Sequence, residues 1–140
     1  MTEGTIGALA LAPGLATGEV LVLAEPLSFW GGLDPETGTL IDAHHPQVGA
    51  SLTAAVLVMR SGRGSSSSSY VLAEAIRAGT APAAVVLAEA DPIVVLGAIV
   101  ARELYGIEMP VVVSPKPGLS TGQRATVQAR DDGDAHIALV

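Results

Sequence analysis

Residues 62 to 70, Gly-Arg-Gly-Ser-Ser-Ser-Ser-Ser-Tyr, put five consecutive hydroxyls behind two glycines and a guanidinium. As a flexible linker the segment needs mobile surroundings and a boundary between domains. As a strand-to-helix turn it presents the unpaired N–H groups of a helix's first turn, at the positive end of its dipole, to a phosphate or carboxylate. A third use is plain capping of a helix by one serine. Standard nucleotide and hydrolase patterns do not fit. A phosphate-binding loop ending in Gly-Lys-Ser/Thr needs a lysine where Gly64 stands, and a Gly-x-Ser-x-Gly nucleophile turn needs a glycine that does not come until Gly79. What survives is an anion-binding turn that carries hydroxyls.

Other groups with chemistry to offer are fewer. His44 and His45 are adjacent, so on an extended chain they point to opposite sides. With no cysteine and no H-x-x-x-H spacing they make no metal site, though one of them can face a pocket. Asp34, Glu36 and Asp42 are available as acids or bases, but carboxylates among Pro and Gly are commonly turn formers or solvated charges. His136 reads as a surface residue of the last strand.

The elements that must position these groups follow from the pattern on either side. Residues 53 to 59 form a continuous apolar run fit for a buried strand, and from Val71 the period changes. Val71, Leu72, Ala75 and Ile76 fall on one helical face, Glu74 and Arg77 off it, and Gly79 closes the helix. The serines therefore join a buried strand to an amphipathic helix that must pack on it, which disfavours the linker. Downstream come a buried strand in Pro-Ala-Ala-Val-Val-Leu-Ala-Glu-Ala, residues 82 to 90, a helix from Asp91-Pro92 to Tyr105 stopped by Gly106, and a strand in Met-Pro-Val-Val-Val-Ser. A closing pair of strands is joined at Asp132-Gly133. Upstream, residues 5 to 11 and 18 to 24 read as an opening pair of strands, separated by a turn at Pro13-Gly14. Residues 25 to 49 lack a period except for a short Thr-Leu-Ile-Asp, and a loop of this length that carries Phe29 and Trp30 points to function or partner contact. The order predicts an α/β fold of one domain over residues 1 to 140, a βαβαβ core closed by the terminal strands into a barrel-like layer.

Composition excludes several classes. Against 7 basic residues stand 14 acidic ones, and the net charge of −7 opposes nucleic-acid binding. There is no cysteine, so this chain supplies neither disulfides nor thiolates for a zinc or iron–sulfur site. The first residues lack the positive start of a signal peptide, and the run Ile93 to Ala101 falls short of the roughly 18 residues that cross a bilayer. A cytoplasmic protein without membrane or nucleic-acid partners is expected.

The stretch from Leu27 to Gly49 and the stretch from Val56 to Gly106 together resemble the small subunit, or swivel domain, of aconitase X, a branch of the aconitase superfamily of hydro-lyases. The likeness covers about residues 18 to 113, and pairs an F-x-G-G-x-D-P-x-T-G motif with S-G-R-G-S-S-S-S-S. It implies a swivelling β/β/α unit that lies over a larger catalytic part. That part, a cysteine-containing large subunit, would carry the iron–sulfur cluster, and this chain would bind no cofactor alone.

The resemblance further implies that the serine of a Gly-Ser-Ser turn acts as general base, which falls on Ser65 of Gly64-Ser65-Ser66. Gly64, Ser66, Ser67, Arg63, Gly31, Gly32, Asp34 and His45 are then the candidates for binding substrate. Where isopropylmalate isomerase and aconitase relatives have an arginine after the second serine, this chain has Ser67, with Arg63 on the preceding turn. Two family activities are implied: dehydration of cis-3-hydroxy-L-proline to pyrroline-2-carboxylate, and dehydration of mevalonate 5-phosphate. The unbroken serines with His-His-Pro-Gln look more like the first. A stand-alone small-molecule anion-binding module remains the non-catalytic reading.

Overall fold

A computed structural model describes residues 5–140, so the part of the signal-peptide expectation that rests on residues 1–4 lies outside the described residues. The chain runs β1 (Thr5–Ala12), β2 (Gly14–Val22), a single distorted turn α1 (Phe29–Gly32), β3 (Leu33–Asp34), β4 (Thr39–Leu40), β5 (Val56–Met59) and α2 (Ser67–Ala78). It continues through β6 (Ala84–Leu87), α3 (Pro92–Tyr105), β7 (Val111–Val113), β8 (Arg124–Ala129) and β9 (Asp134–Leu139). The strands close into a barrel in the order β1-β7-β6-β5-β2-β8-β9. Within it β2, β5, β6 and β7 are successively parallel, while β1, β8 and β9 complete the ring antiparallel.

Burial explains the patterns. β5, β6 and β7 are packed on both faces: Val56, Val58, Ala84, Val86 and Val112 fill the barrel, while Leu57, Met59, Val85, Leu87 and Val111 face the helix layer. A strand covered on both sides reads as an unbroken apolar run, which is what residues 56 to 59 and 84 to 87 are. β8 and β9 are buried on one side only, through Ala125, Val127, Ala129, Ala135 and Ile137, and so alternate with period two. The barrel interior holds no side chain larger than isoleucine, in keeping with its few strands. Phe29 is the buried aromatic; Trp30, Tyr70 and Tyr105 are exposed.

α3 has the ends its sequence announces, with Asp91 Oδ1 accepting the Ile93 N–H at 2.9 Å, Pro92 in the first turn and Gly106 left-handed at the stop. α2 begins at Ser67, four residues before the apolar period starts at Val71, because Ser68 sits one helical turn before Leu72 on the buried face. The opening turn expected at Pro13-Gly14 does not form. β2 starts at Gly14 directly after β1, and barrel closure places β1 between β7 and β9 and β2 between β5 and β8, so the two strands are not neighbours. Residues 25 to 49 are a packed excursion in which Leu27, Phe29, Leu33 and Leu40 are buried. The closing turn is longer than two residues: Gly133 N–H bonds the Arg130 carbonyl at 3.2 Å, and Gly133 itself is left-handed.

α2 and α3 cross closely at Gly97, where a Cβ would lie 3.0 Å from the Ser69 carbonyl oxygen and 3.1 Å from Leu72 Cβ. Gly97→Val is expected to lower stability by about 1–3 kcal/mol through overpacking, read by equilibrium urea unfolding.

Candidate functional site

The parallel strands all deliver the chain to one edge of the barrel: β2 into residues 23–28, β5 into 60–66, β6 into Glu89–Asp91 and β7 into Ser114. Open α/β sheets bind ligands at this carboxyl edge. The segment after β2 runs beside the segment after β5, through a parallel bridge between Leu27 and Gly62 and a bond from the Arg63 N–H to the Leu27 carbonyl at 3.1 Å.

Gly64 has φ +86°, a left-handed conformation that turns the chain into α2. Ser65 follows, half-buried, and its Oγ accepts the Ser67 N–H at 3.0 Å while its carbonyl accepts the Ser68 N–H at 3.0 Å. Among the described residues the N–H groups of Gly64, Ser65 and Ser66 have no protein acceptor. Three unpaired N–H groups thus lie at the positive end of α2, with one further N–H directed at the Ser65 oxygen. Ser66 and Ser67 are exposed, and Ser69 is tied back by its hydroxyl to the Ser66 carbonyl at 2.8 Å. Arg63 is exposed, with Nη2 3.7 Å from Glu25 Oε1.

Across the first turn of α2 lies the Phe29–Gly32 turn. Trp30 (φ −70°, ψ 115°) and Gly31 (φ 76°, ψ −9°) have the central dihedrals of a type II turn, which needs glycine at its second corner. Gly32 is held small by Leu27, whose Cδ1 a Cβ would meet at 2.7 Å. The turn is tied to α2 through Ser68, 2% exposed, whose Oγ accepts the Trp30 N–H at 3.0 Å and lies 3.1 Å from Ser28 Oγ. Neither Ser28 nor Ser68 is among the sequence-derived site residues. A signal for Ser68 exists, since positions 68, 72, 75 and 76 share one helical face.

Two expected substrate contacts have backbone partners in the fold. His45 is 4% exposed, with Nδ1 accepting the Gln47 N–H at 3.0 Å and Nε2 3.0 Å from the Glu25 carbonyl. The first bond makes Nδ1 an acceptor, so Nε2 is the donor, and both nitrogens are spent on the backbone. Gln47 works alongside it, its amide bridging Ala24 N–H and Val22 C=O at 2.8 Å each. The His-His-Pro-Gln run is therefore a clamp on the exit of β2. Asp34 is a turn former: its Oδ1 accepts the Glu36 N–H at 2.9 Å, and the adjacent Pro35 carbonyl bonds Thr80 Oγ1 at 2.6 Å. Thr80 follows the C-terminal end of α2, and a helix of 12 residues spans about 18 Å, so Asp34 lies at the opposite end from Ser65.

The Ser65 turn is open. A cavity of ≈ 530 Å³ lies elsewhere, against β2 and residues 50–55, and is lined by Thr17, Glu19 and Arg124 among others but by none of residues 63–68. The displaced titrations belong to Glu74 and Arg77 on an outer face of α2: hydrogen bonding from Arg77 lowers the Glu74 carboxyl, and bonding to Glu74 raises Arg77. No group of three or more His, Asp or Glu side chains suited to a metal ion occurs among the described residues, and no helix among them is long and apolar enough to cross a membrane.

The family model of the aconitase X swivel domain matches residues 5–136. The cis-3-hydroxy-L-proline dehydratase of Pseudomonas aeruginosa is 50% identical over 101 residues, 72% of this chain, and the chain spans only 17% of that protein's length. The phosphomevalonate dehydratase small subunit of Methanothermobacter thermautotrophicus is 46% identical over 124 residues, 89% of this chain and 90% of its own length. The crystal structure of Thermococcus kodakaraensis aconitase X in its holo-form matches with a TM-score of 0.84 at 34% identity, over 97% of this chain and 98% of that one.

Because both nitrogens of His45 hold backbone groups, His45→Ala is expected to cost about 1–3 kcal/mol of stability, measured by urea unfolding of the isolated chain.

Proposed function

This chain belongs to the aconitase X swivel-domain family, and from that premise we propose that residues 1–140 act as one swivel domain, the small subunit of a two-subunit hydro-lyase whose general base is Ser65. The observation that carries the reading is the pairing of the Ser65 oxygen with an N–H donor at the start of α2, beside three N–H groups free to meet a substrate anion.

A serine hydroxyl is a weak base and must act as its alkoxide. Hydrogen bonding to the charged form of an acid stabilises that form, and the Ser67 N–H, fixed at 3.0 Å, is such a donor without any rearrangement. The helix dipole adds to it. In the proposed step Ser65 Oγ takes the proton from the carbon next to the one bearing the hydroxyl. The C–H electron pair becomes the C=C bond, and the hydroxyl departs to leave, with one proton, as water. The N–H groups of Gly64 and Ser66, the hydroxyls of Ser66 and Ser67 and the Arg63 guanidinium bind the substrate carboxylate. Gly31 and Gly32 let the neighbouring turn approach the same face.

An iron–sulfur cluster does not fit this chain, which has no cysteine and, among the described residues, no metal-binding group of side chains. A cysteine-containing large subunit would hold it, and departure of the hydroxyl is not assigned to any residue here. The exposure of Arg63, Gly64, Ser66 and Ser67 around Ser65 suits a site completed by that partner.

The proposed substrate is cis-3-hydroxy-L-proline. Arg60 at the site edge already has a carboxylate neighbour, Glu89 at 3.5 Å, which leaves Arg63 for a single carboxylate rather than a carboxylate plus a phosphate. A second reading, mevalonate 5-phosphate, is favoured by the relative of matching length that is named a phosphomevalonate dehydratase small subunit.

With the coexpressed large subunit, assayed anaerobically on both substrates, Ser65→Ala is expected to lower kcat by about 10²–10⁴-fold while assembly and substrate binding persist. Near-normal turnover in that variant overturns the assignment. A chain that binds carboxylates but copurifies with no large subunit would instead be an anion-binding module.

A further inference from the structure

Ser68 is buried, polar and unused by the proposed chemistry, yet it makes the bonds that join two separate parts of the site edge. Ser28 Oγ donates to the Trp30 carbonyl at 3.1 Å, which uses its single hydrogen. The 3.1 Å contact between Ser28 Oγ and Ser68 Oγ must then be donated by Ser68, and Ser68 Oγ in turn accepts the Trp30 N–H at 3.0 Å. The three groups close a ring of hydrogen bonds, each polarising the next, that holds both backbone polar groups of Trp30. Ser28 also lies beside the turn itself, its Oγ 3.5 Å from where a Cβ on Gly64 would stand. The result is an exposed tryptophan, 60% in solvent, whose backbone is held beside the helix turn that bears Ser65. A tryptophan on a held backbone offers a broad, rigid apolar face beside that turn.

We propose that Ser68 and Ser28 are positioning residues that hold Trp30 as a wall of the substrate site, where the indole covers the carbon skeleton of the hydroxy acid and keeps water from the Ser65 oxygen. This rests on the reading of the Ser65 turn as the active site. Ser68 touches no substrate; it acts through Trp30.

Trp30 is the single tryptophan of the chain, so its fluorescence reports the latch without any assay of turnover. In the isolated chain, Ser68→Ala and Ser28→Ala are expected to shift Trp30 emission and raise its quenching by acrylamide. In the assembled enzyme the same variants are expected to raise KM about tenfold with kcat within about threefold, the loss of one hydrogen bond's worth of positioning. Ser68→Cys keeps the side chain's shape at slightly larger volume but bonds weakly, so it should behave like Ser68→Ala. Unchanged quenching and KM in the alanine variants, or a Ser68→Cys variant that behaves like the parent, would overturn the proposal. If Ser68→Ala does not fold, the half-buried Ser28→Ala variant decides by the same readings. An active Ser65→Ala enzyme would sink the reading of the site, while the fluorescence of the isolated chain would still decide whether the latch exists.

Discussion

The hydrogen bond from the Ser67 N–H to Ser65 Oγ lies where α2 begins, and the rest of the site is arranged around that point. With the helix starting at Ser67, Ser68 falls on the buried face one turn before Leu72, and Ser66 and Ser67 are left in solvent. The same bond gives an N–H donor to the one serine whose oxygen is proposed to carry charge. Five chemically identical side chains thereby acquire different tasks from their place relative to one helix end.

The barrel makes that helix end possible. β5, β6 and β7 are covered inside by small aliphatic side chains and outside by α2 and α3, so the loops leaving them are anchored at both ends and converge on one edge. The excursion after β2 is pinned to this edge by His45 and Gln47, which satisfy the backbone between Val22 and Glu25. Its two ends serve different purposes. The Phe29–Gly32 end meets the start of α2, whereas the Asp34–Gly38 end is a turn bonded near Thr80, beyond the helix's other end.

Much of this was legible in the residues. Doubly buried strands and the Asp91-Pro92 start with its Gly106 stop are local signals, and they placed the serines between a strand and a helix. Pro13-Gly14 misled because a local turn preference gave way to barrel closure, which needs β1 and β2 apart. Serines carry no apolar period, yet Ser68 lies in register with Leu72 on the buried face of α2. The places of Asp34 and His45 were not legible for a different reason: a linear motif runs the length of α2, and adjacency of two histidines does not say which one the core takes. The partnership of Ser28 with Ser68 spans 40 residues of sequence and exists only in the folded chain.

The central claim, that Ser65 moves the substrate's C–H proton, is tested most directly by isotope exchange in the assembled enzyme. Substrate recovered from D₂O is predicted to carry deuterium at the carbon that loses its proton with the parent enzyme, and none with Ser65→Ala although the substrate still binds. Exchange at the parent rate in that variant would contradict the account.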